Sequence, residues 1–293
     1  MNEGYFSHSF RAIRLTPHWV RKLLLLSLVV LIPIFGPIAV AGYIVGWARD
    51  AAWGVENPMP EHIFGNEDQR QYSRGFFTII IEIAFAIIPA LLVGLASVVF
   101  AFSAASPFFA ADHFHVGAFV ALTTIVINIM IDLFSTVVSC AVSVLAMVGV
   151  LRMAIYGKFT AGFQFRHIFV MAKHDPRGLL KIFGIYFTGI VSITVVGSIY
   201  AAIMLIFSVP GILGVIYGAY ASSAALIPGS IMLVTIIVLG IFGFAAICLT
   251  GSIFLMLLTY RAMGYWVSQF DVLHWRGQDD LLPFEMVEHY EGR

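Results

Sequence analysis

Charge is what this chain has least of. Only 11% of its 293 residues are Asp, Glu, Lys or Arg, against about 25% in a soluble domain. That scarcity excludes a soluble enzyme, a nucleic-acid binder and a disordered scaffold. The 16 basic and 16 acidic residues cancel, so net charge selects no partner. Cysteine is scarce too. Cys140 and Cys248 lie in apolar runs, with no C-x-x-C spacing and no disulfide framework. There is no Ser-His-Asp set, no P-loop and no H-E-x-x-H, so no enzyme chemistry is expected. No small-residue cleavage site follows the first apolar run, which is flanked by Arg21 and Lys22. It is therefore expected to stay in the mature chain.

What is present is apolar. Hydrophobic residues make up 60% of the chain, 26 of them Phe, and the mean hydropathy is +0.96. Those values define an integral membrane protein. A bilayer core takes about 20 apolar residues as a helix. Four runs exceed that: Phe76–Ser103, Val116–Leu151, Leu179–Val209 and Pro228–Tyr260. The second is long enough that it must tilt, project or break. A fifth run, Leu23–Trp47, carries Pro33, Gly36 and Pro37 at its centre. Proline removes a backbone donor and clashes with the preceding turn, so a sharp bend is expected there.

The basic residues cluster. Four lie in residues 1–22, three in 47–75, six in 151–181 and three in 261–293, while 104–115 and 209–229 hold none. If Leu23–Trp47 returns to the side it entered, every cation is cytoplasmic, as the positive-inside rule favours. The reading is a re-entrant or kinked helical hairpin followed by four full spans. The alternative is an ordinary first span, with another crossing hidden in 210–227.

Two stretches have the spacing of amphipathic surface helices. Phe6, Phe10 and Ile13 share one face, apart from Arg11 and Arg14. Phe165, Ile168, Phe169 and Ala172 do the same beside Arg166 and Lys173. Basic amphipathic helices of this kind sit at the headgroup boundary, where Arg11, Arg14, Arg21, Lys22, Arg166 and Lys173 would meet lipid. Each begins Phe-Arg-x-Ile, then reaches a proline five residues before a lysine. The repetition points to a weak internal duplication with its boundary near residue 151. One membrane domain is expected over 1–270, with an acidic cytoplasmic tail over 271–293.

Trp19-x-x-Lys22, Leu31-Ile32-Pro33-Ile34, Gly42-Tyr43, Arg49 and Pro58-x-Pro60-Glu61 resemble the opening of a prokaryotic membrane-protein family, domain of unknown function 4013. The similarity continues through Phe163–Pro176 and the aromatic exit Tyr260–Phe270. The resemblance implies a multi-spanning bacterial or archaeal membrane protein, placed in the inner membrane, and brings no catalytic residue with it. The acidic tail lies outside the pattern.

Polar residues inside the apolar runs are the candidates for function. Glu82 and Asp132 are the two acids at membrane depth, where ionisable groups are costly. Asn128 lies one helical turn before Asp132, on the same face. Together they could line a path or bind a proton or cation. A protonated Asp132 packed against another helix is the structural alternative. Asp112-His113-Phe114-His115 has too few ligands for a convincing metal site, so neither metal nor cofactor is expected. Gly42-x-x-x-Gly46 and Gly214-x-x-x-Gly218 suit close helix packing. The leading expectation is an all-α polytopic protein, non-enzymatic, with both termini cytoplasmic. It would organise membrane or serve as an accessory subunit against lipids, other membrane proteins or itself, with no nucleic acid. A transporter or channel using Asp132, Asn128 and Glu82 is the alternative. A continuous polar cavity reaching Asp132 would favour the transporter.

Overall fold

The computed structural model describes residues 4–66, 69–109, 114–221 and 223–272. Among these residues the regular structure is entirely helical. The chain opens with α1 (Tyr5–Arg14), α2 (Trp19–Val29) and α3 (Phe35–Ala52). Two long helices follow, α4 (Gln71–Phe109) and α5 (Phe114–Tyr156). A short 3-10 turn, Phe159–Phe163, leads to α6 (Phe165–His174). The pair α7 (Pro176–Ala221) and α8 (Ser223–Val267) completes the fold.

All four predicted runs lie inside α4, α5, α7 and α8. These helices contain 39, 43, 46 and 45 residues, about 58–69 Å at 1.5 Å per residue. Candidate membrane spans among the described residues are Gln71–Leu95, Ile125–Tyr156, Pro176–Tyr217 and Gly229–Phe270. The long second run is unbroken helix. Residues 210–227, open in the sequence reading, are also mostly helical. Pro210 sits within α7 rather than ending it.

The N-terminal run breaks between α2 and α3. Phe35 N–H donates to the Pro33 carbonyl at 2.6 Å, around Ile34 at φ 65° and ψ −59°. That is the rare positive-φ γ-turn, an uncommon conformation for a β-branched residue. Gly36 is required next to it. A Cβ there would stand 1.9 Å from the Val29 carbonyl oxygen. Pro37 falls in the first turn of α3, where its missing N–H has no helical acceptor to lose.

Helix α3 forms the centre of a compact base. It packs against the start of α4, the end of α5 and the end of α8, with α1 and α2 around it. Its crossing with α4 is set by glycine. A Cβ on Gly75 would lie 1.9 Å from the Ile38 carbonyl oxygen, and one on Gly42 would lie 2.0 Å from that of Gln71. Beyond the base, α4 pairs mainly with α5 and α7 mainly with α8, leaving two hairpins.

The two short amphipathic helices are present, but much of their apolar face serves the protein. In α1, Ile13 is 1% exposed and Phe10 packs edge-on against Phe254 of α8. In α6, Ile168 and Met171 are buried while Phe165 and Phe169 remain exposed. Arg11, Arg14, Arg21, Arg166 and Lys173 are exposed. Lys22 differs from that expectation, because its ammonium turns inward. It donates to the carbonyls of Met59 at 3.0 Å and Pro60 at 3.2 Å. Burial lowers its pKa, against a smaller opposing pull from Glu61.

Candidate functional site

The interior polar groups form two arrangements. One locks the base and the other lines cavities.

The lock is Arg261, fully buried near the end of α8. Its guanidinium donates to the Trp47 carbonyl at 2.6 Å and the Val55 carbonyl at 3.2 Å, with a longer bond to the Asn57 carbonyl. Nε donates to the Tyr265 hydroxyl at 3.2 Å. The cation also lies 4.5 Å from the Trp47 ring and 5.1 Å from the Tyr265 ring. One planar fork thereby ties α3, the 55–57 loop and α8 together. The same loop is gripped elsewhere. Tyr43 donates to the Pro60 carbonyl at 2.8 Å, and Trp47 Nε1 donates to Asn57 at 3.1 Å. Burial raises the Tyr43 pKa, keeping the hydroxyl a donor.

A second joint holds the α6–α7 corner to α8. Asp175 precedes Pro176 at the first position of α7, the usual start signal of a capped helix. Its carboxylate accepts from Gly178 N–H at 3.0 Å, Trp266 Nε1 at 3.0 Å and Gln269 Nε2 at 3.1 Å. Partial burial works against its charge. Those three donors and Lys181 outweigh it and hold its pKa below the usual carboxylate value.

The second arrangement runs along α5. Asn128, Asp132, Ser135, Ser139 and Ser143 recur at intervals of three and four residues, so they share a helix face. The first two were legible in the sequence. The serines that prolong the stripe were overlooked, although the same spacing marks them. Asp132 is exposed, lining a cavity of about 350 Å³ with Ser135, Thr136, Ser139, Cys140 and Tyr186. Asn128 is buried, so the two side chains meet different surroundings. Thr136 and Ser139 return their hydroxyl protons to the carbonyls of Asp132 and Ser135, at 2.8 and 2.7 Å. Their oxygens keep lone pairs as acceptors.

Glu82 lies in a second cavity, of about 260 Å³, walled partly by Phe85, Pro89 and Met256. Its carboxylate accepts a 2.5 Å hydrogen bond from the Tyr260 hydroxyl, 178 residues away. Tyr186 is hydrogen-bonded to Ser143, and both residues line both cavities. Glu82 from α4, Ser143 from α5, Tyr186 from α7 and Tyr260 from α8 therefore bring all four long helices to one polar centre. From Asp132 to Ser143 the seam follows α5 for about 16 Å, roughly half the thickness of a bilayer core.

Pro33, Gly36 and Pro37 belong to the α2–α3 corner and reach neither cavity. Asp112 and His113 lie outside the described residues, as does the side chain of His115. Among the described residues, no group of three His, Cys, Asp or Glu is placed to hold a metal ion. The acidic tail from residue 273 onward also lies outside them.

Four long apolar helices and a kinked N-terminal corner define a polytopic α-helical membrane protein. The chain belongs to the family described as protein of unknown function (DUF4013), which matches residues 25–202. The matched stretch stops short of Tyr260 and Arg261 and begins after Trp19 and Lys22. No curated protein and no solved structure matches the chain. Of the motif residues within the match, Gly42, Tyr43 and Pro58-x-Pro60 sit in the base. Their shared work is to pack α3 on α4 and to hold the 55–60 loop.

Proposed function

We propose that this protein carries protons or a small cationic solute in the membrane, with Glu82 and Asp132 as acidic stations on one seam. The carrying observation is the pair of cavities that share Ser143 and Tyr186 in their linings. Their charged lining residues are both acids, and hydroxyls recur at each turn between them. A carboxyl at membrane depth marks an ion or proton path by its chemistry. Such a lining favours a proton or cation over an anion. The described Lys and Arg all lie in the base or at helix ends entering it, which supports a cytoplasmic base with the far hairpin turns outside.

A second reading, a non-enzymatic accessory subunit, draws on the exposure of Asp132 and of neighbours such as Phe134. A partner helix offering a polar or basic side chain would cover that face.

The test is flux into liposomes holding the full chain and a pH-sensitive dye, under a potassium diffusion potential. Protons, Na⁺, K⁺ and methylammonium are compared. Wild type is expected to dissipate the gradient of at least one. Glu82→Gln and Asp132→Asn should each abolish most of that flux without changing the size-exclusion profile. Wild-type rates equal to empty liposomes for all four, or full flux in the double variant, would overturn transport. A co-purifying membrane protein lost on Asp132→Leu would then point to the accessory role.

A further inference from the structure

A further cavity is separate from the polar seam. It is a slot of about 650 Å³ between α7 and α8, roofed by residues 4–6 at the start of α1. The size suits a ligand pocket, and mostly apolar walls with few polar groups are usual for one. Ile185, Ile193, Phe254 and Leu258 supply the walls. Gly184 keeps part of the slot open, since a Cβ there would meet nothing within 4 Å. Deeper down, the helices close up. A Cβ on Gly189 would meet the Leu255 side chain at 2.2 Å.

Two features define the occupant. The first is depth. Lys181 lies five residues into the Pro176–Tyr217 span, at its end nearest the base. From Lys181 to Ser192 the wall extends about 16 Å along α7, close to one leaflet of a core about 30 Å thick. The second is charge. Lys181 is exposed at the mouth. Asp175, which Lys181 helps to keep ionised, accepts its hydrogen bonds from Gly178, Trp266 and Gln269, so it interacts with Lys181 only through space. An apolar slot of leaflet depth beneath a cation matches a lipid with a negative head and a hydrocarbon tail.

We infer that the α7–α8 slot binds an anionic glycerophospholipid, its phosphate on Lys181 and one acyl chain against Gly184 and Phe254 beneath the start of α1. The site is independent of the transport reading, because none of its residues lines the Glu82 or Asp132 cavities.

Native mass spectrometry of the detergent-solubilised full chain tests this with dioleoylphosphatidylglycerol and dioleoylphosphatidylcholine as probes. The wild type should retain the phosphatidylglycerol roughly fivefold better, the difference one basic side chain makes toward an anionic headgroup. Lys181→Gln should erase that preference. Gly184→Phe should lower retention of both lipids by filling the slot. Thr188→Trp, one turn deeper on the same wall, provides a second plug should the first variant fail to fold. Equal retention of the two lipids by wild type, a preference surviving Lys181→Gln, or unchanged retention in a folded plug variant would overturn the site. So would carbodiimide coupling of Lys181 to Asp279 or Asp280, which would make the acidic tail the occupant.

Discussion

Of the 18 residues of α3, 13 are buried, including Trp47 and Ile44 at 0% exposure. Along the far half of α7, by contrast, Leu205 and Tyr217 are each 68% exposed, and Phe242 of α8 is 71% exposed. Both regions are rich in apolar residues, yet they are organised by different forces. The base collects carbonyls from loops and helix ends and answers them with Arg261, Lys22, Tyr43 and Trp47. A polar group left unpaired in such a place is expensive, so each partner is fixed in position. The far hairpins leave their large side chains facing outward, where lipid is as apolar as leucine. Burial gains little there, and small residues permit close approach instead. At the α7–α8 crossing Gly229 approaches Gly214 so nearly that an added Cβ would stand 2.7 Å from the Gly214 carbonyl carbon. The lesson is that the folding specificity of this chain is concentrated in its least membrane-like part.

The largest effect should come from Arg261→Leu. It takes the guanidinium donors from the Trp47 and Val55 carbonyls, leaves the Asn57 carbonyl with Trp47 Nε1 alone, and removes two cation–ring contacts. Each stranded group costs about 1–3 kcal/mol, so the base should lose more than about 3 kcal/mol. Little monodisperse protein should survive solubilisation, as read by fluorescence-detected size exclusion. A stable Arg261→Leu protein would break the contrast. Gly75→Ala comes next. The new methyl meets backbone rather than a flexible side chain, so α3 and α4 must separate, at about 1–3 kcal/mol. A clear fall in the thermal midpoint of the detergent-solubilised protein is the expected result. The smallest effect belongs to Leu205→Ala on the outward face of α7. Its stability should stay within about 0.5 kcal/mol of wild type, with the thermal midpoint nearly unchanged. A loss as large as that of Gly75→Ala would show that this face is covered by protein and would sharpen the case for a partner.

The same contrast separates what was legible from what was not. Long apolar runs give spans by length alone, and Pro33 with Gly36 and Pro37 marks a break by local backbone chemistry. The α1 and α6 helices follow from periodicity. Periodicity does not say what an apolar face will meet, which is why Ile13, expected at the headgroup boundary, is instead in the protein core. Lys22 was legible as a cation and not as the clasp of the Met59 and Pro60 carbonyls. Half of the polar seam was readable, because Asn128 and Asp132 stand out in an apolar run while Ser135, Ser139 and Ser143 are inconspicuous singly.

By itself the sequence determined the membrane class, the four spans and the kinked corner. Each depends on composition or on neighbours within a turn or two. Only the tertiary structure decided that Glu82 meets Tyr260 across 178 residues, that Tyr186 lines two cavities, and that Arg261 reaches back to α3. Those contacts join helices far apart in the chain. A hydrogen bond requires its two groups within about 3 Å and in line, and no pattern along one helix specifies the register of another.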